Sequence, residues 1–324
     1  MANTATLKHP KPQIPHPAPA EAPALAPTLN FAMLSHVGRV RHANEDACDA
    51  LPERGAFVVC DGMGGAAAGE IASHLASEAF LHALSRPRRI PPKSASAGPD
   101  PHSDSDAPAE LYPPNHPHSR LTQAVRAANH AVFRHSRKSP RLQGMGTTLV
   151  GALLDNVGAH LDDVAVEDAS HLHNGGRASP TPTLWLAHVG DSRCYRLRRG
   201  VLHQLTRDHS FVEEQVTAGV LSRVQAVASP FRNVITRAVG TQLSVEPEIA
   251  AHAVQPGDLY LLASDGLTRE LDDPSIAAIL TQTLTQPLAR KAAPALQSAC
   301  QALIDAANRI GGRDNITVML IACP

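Results

Sequence analysis

Short apolar runs alternate with longer ones at helical spacing along this chain. Seven runs read as strands, at 31–38, 55–60, 146–154, 183–190, 193–200, 258–264 and 315–323, most of them bordered by Gly, Asp or Asn. Within "WLAHVGDSRCYRL" two of these strands flank Gly190-Asp191-Ser192, which predicts an antiparallel hairpin. Helical spacing predicts helices at 69–84, 119–138, 211–219 and 287–310. In the first, Ile71, Ala72, Leu75, Ala76, Ala79 and Phe80 share one face, while Glu70, Ser73, His74, Ser77 and Glu78 share the other. The last stops at Gly311-Gly312. Many short strands with helices grouped between them predict an α+β layered domain rather than a doubly wound sheet.

Proline marks what lies outside this pattern. Of 27 prolines, seven fall in residues 1–29 and nine in 87–119. Residues 1–29 read as a disordered Pro-rich tail, and about 87–118, rich in Ser, Asp and His, as a disordered insertion. About 155–182 reads as a long hairpin loop. The pairs His116/His118 and His171/His173 fall in these two insertions and read as solvated loop residues. What remains is the size of one domain, 30–324. A net charge of −1 offers no basic field for nucleic acid, and no run is long enough to span a membrane. Five widely spaced cysteines without a C-x-x-C pair predict free thiols and a cytoplasmic protein.

Candidate chemistry lies at the strand ends. Asp61 closes "GAFVVC", Asp191 follows "LWLAHVG", Asp265 follows "LYLLAS", and Asp314 precedes "NITVMLIA". Glu45 and Asp46 follow Arg41 in "RHANEDA", read as a short loop after the first strand. Taken singly, an Asp-Gly or Gly-Asp-Ser after a strand is an ordinary turn. If the strand ends converge, several carboxylates share one cleft and their repulsion must be cancelled. Hard divalent cations such as Mg²⁺ and Mn²⁺ do this with carboxylate, carbonyl and water oxygens. Gly62 fits, because a residue without a side chain lets a cation approach its carbonyl. No His or Cys spacing offers a zinc site.

The blocks "RHANEDA", "DGMGGAAAGEIAS", "GMGTTLVGALL", "HVGDSRCYRL", "LLASDGLTREL" and "GGRDNITVMLI" occur in the order found in the metal-dependent serine/threonine phosphatases, the PPM or PP2C-type family, in its bacterial branch. The resemblance covers about 30–323. It implies an α-β-β-α sandwich of two antiparallel sheets flanked by helix pairs. It further implies that Asp61 bridges two Mn²⁺ or Mg²⁺ ions, with the Gly62 carbonyl on the second and Asp265 and Asp314 on the first. Glu45 and Asp46 match acids that hold the second ion, and Asp191 an acid for a third. Arg41 matches the side chain that grips the substrate phosphate. The implied reaction is attack of an activated water on phosphorus, without a covalent phosphoenzyme. Family members carry a histidine where this chain has Met63 or Ala66, which leaves water as the proton source. Residues 206–240 resemble the family's flap, and phosphorylated proteins, with a serine/threonine kinase that makes them, are the implied partners of a monomer.

Two other readings compete. One is a catalytically silent phosphoprotein-binding module on the same fold, against which the intact Asp61, Asp265 and Asp314 stand. The other is a hydrolase of small phosphate esters. "CDALPER" (48–54) has the C-x5-R spacing of cysteine-nucleophile phosphatases, but its Asp49, Glu53 and Pro52 give neither positive potential nor a full set of N–H donors.

Overall fold

The computed structural model describes residues 29–85, 112–155, 182–284 and 293–323. In chain order its elements are β1 (Asn30–His36), β2 (Asp46–Leu51), β3 (Ala56–Met63), α1 (Ala66–Ser85) and α2 (Pro117–Ser136). Then come β4 (Gly146–Thr147), β5 (Leu149–Asp155), β6 (Thr183–Val189), β7 (Arg193–Arg198) and β8 (Val201–Gln204). The flap segment holds α3 (Phe211–Thr217) and α4 (Arg223–Ala228). The remainder is β9 (Glu248–Ala253), β10 (Leu259–Ala263), α5 (Asp265–Thr268), α6 (Asp273–Thr283), α7 (Ala293–Ile310) and β11 (Ile316–Ala322).

The strands form two antiparallel sheets, ordered β1-β11-β10-β7-β8 and β2-β3-β5-β6-β9, with β4 paired to β3. Alternation along the strands explains the layering. In β3, Phe57 and Val59 point into the interior between the sheets, against Tyr260, Leu262, Met319 and Ile321 of the other sheet. Val58 and Cys60 point the opposite way, onto α1 and α2, beside Ala72, Ala76 and Phe80. The outer face of the other sheet is covered by α6 and α7 through Ile276, Leu280, Leu296, Leu303 and Ile304. Both sheets are thus buried on both faces, which is why their strands read as near-continuous apolar runs, and the order of layers is α-β-β-α.

Several expectations need correcting. β6 and β7 are not a hairpin. β6 pairs with β5 and β9, β7 with β10 and β8, so Gly190–Ser192 crosses from one sheet to the other. Gly190 has φ +105°, and a Cβ there would meet Thr148, so this crossing requires glycine. The predicted loop holding Glu45 and Asp46 turns into β2 at Asp46. Residues 112–118 of the predicted disordered insertion are ordered. The ring of His116 accepts the His118 N–H at 3.2 Å to cap α2, stacks on Tyr112 at 4.4 Å and meets the edge face of Trp185, so His116 is a structural residue. The rest of that insertion, most of the 155–182 loop, residues 1–28 and the predicted helical turns at 287–292 lie outside the described residues. Among the described residues, no helix is long and apolar enough to cross a membrane.

Candidate metal centre

The acidic residues meet because four strand ends open on one edge of the sandwich. In the β2–β3 ladder Asp46 lies directly opposite Asp61. The backbone of Asp61 is fixed on its other side: its N–H donates to Thr148 Oγ1 (3.0 Å), and its carbonyl accepts from the Thr148 N–H (2.8 Å) and Thr147 Oγ1 (2.9 Å). Thr148 Oγ1 lies 2.7 Å from Ser192 Oγ, which ties the crossing turn and Asp191 to the same strand end. From the second sheet, Ser264 at the end of β10 donates to Asp46 Oδ2 (2.8 Å) and accepts the Thr317 N–H of β11 (2.9 Å), so the two sheets are joined just before Asp265.

Asn315 completes the frame. Its side-chain amide donates to the carbonyls of Val37 and Ala43, both at 2.9 Å, and its oxygen accepts the Glu45 N–H at 2.8 Å. One side chain thereby holds the loop with Arg41 and Glu45 against Asp314. Gly62 is needed for close approach: a Cβ there would run into the carbonyls of Glu45 and Gly69. The Glu45 carboxylate in turn packs over Gly69 of α1, where a Cβ would collide with it.

The result is a cleft of about 260 Å³ lined by Arg41, Glu45, Asp61, Gly62, Asp191, Asp265, Arg269 and Asp314, with Asn233 and Ile235 reaching in from the flap. All the predicted site residues except Asp46 line it, and Asp46 stands behind, buried against Ser264. Among the described residues, no histidine or cysteine lines it. Arg41 pairs with Asp314 Oδ2 at 2.8 Å. Arg269, which did not stand out in the sequence, pairs with Asp265 and lies 3.6 Å from Asp191 Oδ2 and 3.4 Å from Asp314 Oδ2.

The electrostatics are those of crowded anions. Burial, then the neighbouring Asp46, Asp265, Asp191 and Asp314, hold the Asp61 carboxyl well above the usual carboxylate range. Burial and Asp191 do the same to Asp265 against the pull of Arg269. Burial pushes Asp46 up to about 6 despite its hydrogen bonds, and raises Asp191 and Glu45. Asp46 Oδ1 and Asp265 Oδ1 are buried without a hydrogen-bond partner among the described residues. Six carboxylates against two guanidiniums leave four negative charges when all are ionised, the charge of two divalent cations. Oxygen-only donors, orphaned oxygens and that imbalance fit hard ions of the Mn²⁺ or Mg²⁺ type.

A second group behind the crossing turn contrasts with it. His188, His209 and Glu248 bring one potential ligand atom each within 4.8 Å of the others. Here the rings stack at 4.6 Å, His188 Nε2 lies 2.8 Å from the Arg207 carbonyl, and His209 Nδ1 accepts the Gly190 N–H at 3.2 Å. That bond leaves the His209 proton on Nε2, facing Glu248 Oε2 at 3.5 Å, so no lone pair of His209 is free for a metal. Its role is to hold the crossing turn. At the C-x5-R segment, burial and nearby Asp46 push the Cys48 thiol up to about 12, the opposite of a reactive thiolate.

The family model for protein phosphatase 2C matches residues 35–301. The serine/threonine protein phosphatase PstP of Mycobacterium tuberculosis is 34% identical over 293 residues, 90% of this chain and 44% of PstP, so the chain spans less than half of that relative's length. The serine/threonine phosphatase stp of Listeria monocytogenes is 30% identical over 287 residues, covering 88% of this chain and 92% of stp. Among solved structures, the catalytic domain of PstP in complex with two manganese ions superposes with a TM-score of 0.63 at 32% identity, over 91% of this chain and 97% of that one.

Proposed function

The chain belongs to the protein phosphatase 2C family, and from that premise we propose that it is a metal-dependent phosphatase of phosphoserine and phosphothreonine in proteins. The observation that carries the reading is the cleft of converging carboxylates with orphaned oxygens, lined by no histidine among the described residues. We assign Asp61, the Gly62 carbonyl, Asp265 and Asp314 to two Mn²⁺ or Mg²⁺ ions, with Glu45 and Asp46 beside them and Asp191 available to a third. When bound, such ions supply an activated water and neutralise charge on phosphoryl oxygens.

The protein's own groups do the rest. Arg41 is half exposed at the cleft mouth and reaches inward to Asp314, so its fork of N–H donors is placed to hold a phosphoryl group over the carboxylates. Thr147 and Thr148 fix Asp61 by its backbone, leaving both carboxylate oxygens for a cation. Asn315 keeps Arg41 and Glu45 in register with Asp314. The flap contributes Asn233 and Ile235 to the wall, where the residues flanking a phosphorylated side chain would pass. A serine/threonine kinase acting on the same proteins, a monomeric state and a cytoplasmic setting, in keeping with five free thiols, complete the proposal.

Release of phosphate from a phosphothreonine peptide with Mn²⁺ tests it. Turnover that needs the metal and vanishes in Asp61→Asn supports the assignment. Hydrolysis of p-nitrophenyl phosphate alone, with no turnover of peptide, would point to small esters instead, and equal turnover without any divalent ion would refute the metal mechanism.

A further inference from the structure

Arg269 occupies a peculiar position. Its guanidinium touches three carboxylates, Asp265, Asp191 and Asp314, each assigned here to metal. It starts from the end of α5, one turn after Asp265, so the helix itself aims it back into the acids. Arg41 reaches the same cluster from the loop after β1, and both guanidiniums share a single atom, Asp314 Oδ2, at 2.8 Å and 3.4 Å. Two guanidiniums on one carboxylate oxygen are held there by the acids' excess charge, since each repels the other. Divalent ions compete for those oxygens with twice the charge. Their arrival therefore removes the partners that hold Arg269 inward.

The position of Arg269 indicates where its charge goes next. It lines the acidic cleft and also a larger groove, about 530 Å³, that runs outward between α5 and the flap. Arg41, Asp191, Asn233, Asp265 and Asp314 line both cavities as well, so the two adjoin along these residues. About a third of the Arg269 side chain is exposed there. We infer that Arg269 is a second phosphate-binding side chain, stored on the metal carboxylates as their counter-cation and delivered with Arg41 to the substrate phosphoryl group once metal takes those carboxylates. The inference rests on the proposed phosphatase reading and deepens it: two forked cations that meet at Asp314 Oδ2 suit a dianionic group with three free oxygens.

Two binding measurements on the full chain test it, neither of which depends on turnover. Manganese binding to metal-free protein is titrated by calorimetry, and inorganic phosphate binding to the manganese-saturated protein is titrated likewise. Arg269→Gln removes the competing cation, so manganese should bind several-fold more tightly, while phosphate should bind roughly 10-fold more weakly through loss of a charge-assisted pair. Arg269→Lys keeps the charge but not the fork, so manganese affinity should stay within about 2-fold of the parent and phosphate affinity should fall by several-fold. If the Gln variant does not fold, the Lys variant decides alone. Phosphate affinity equal to the parent's in the folded variants, or manganese binding unchanged or weakened in Arg269→Gln, would overturn the inference. Turnover of phosphothreonine peptide by the parent protein is scored separately, so failure of the phosphatase reading would be recognised as such.

Discussion

Asp61 faces the other acids from the end of a buried strand, and its raised pKa is the energetic trace of burial first and of that crowding second. Asp61→Asn should therefore act in opposite directions on activity and on stability. Turnover with Mn²⁺ should fall by on the order of 10³-fold, corresponding to roughly 4 kcal/mol of lost transition-state stabilisation. The metal-free protein should become more resistant to urea, because one member of an under-compensated set of anions has gone. His209 yields a second prediction at this scale. Burial, His188 and Arg237 lower its pKa to about 4, against the pull of Glu248, and burial also lowers His188. A histidine kept neutral in the fold but titrating near 6.5 when unfolded binds fewer protons in the native state, so its contribution to stability is lost as pH falls from about 6.5 toward 4. The carboxylates of the cleft, raised in the fold, act in the opposite sense, so the test is a difference: the excess urea stability of the parent over His209→Gln should be smaller at pH 5 than at pH 7. At this scale Asp61, Asp265 and Asp314 were legible because each sits where an apolar run meets a turn. Arg269 was not, since an arginine four residues after an aspartate looks like any helical ion pair. Nor was Asn315, whose partners Val37, Ala43 and Glu45 are some 270 positions away in sequence.

Elements were legible where periodicity was strong and illegible where pairing decided the outcome. α1 and α2 appear within three residues of the ends their apolar spacing predicts. The Gly190-Asp191-Ser192 turn misled, because a hairpin and a crossing between sheets both ask for Gly and Asp between two strands, and only the partners of β6 and β7 distinguish them. β2, β8 and β9 went unread. β2, with Asp at 46 and 49, and β9, with Glu248 and His252, carry too few consecutive apolar residues to declare themselves. The start of α2 was obscured by proline-rich sequence, although Pro117 is well suited to a first helical turn. A pair of deletions separates the two parts of that region. Removal of 87–111 should leave peptide turnover nearly unchanged, since the cleft's described lining comes from other parts of the chain. Removal of 87–118 takes the His116 cap and its Tyr112 stacking, and should lower the unfolding free energy by at least about 1 kcal/mol in urea titrations.

Across the whole molecule, counting strands and helices gave an α+β layered domain and the family resemblance its four-layer order, but neither gave the sheet order β1-β11-β10-β7-β8, which pairs Asn30 with Ala322. That long-range pairing is what brings Asp314 to Arg41 and closes the cleft from both sheets. The centre is consequently a load on the metal-free fold and a brace when filled. Thermal unfolding should rise by several degrees on adding Mn²⁺ and return on adding EDTA, with the rise much reduced in Asp61→Asn. Most direct is the count of ions bound. Calorimetric titration of the metal-free chain with Mn²⁺ should give two ions per chain, and neither should bind with parent affinity in Asp61→Asn. A parent chain that takes up no manganese, or an Asn variant that binds it as the parent does, would contradict the account of these carboxylates as one metal centre.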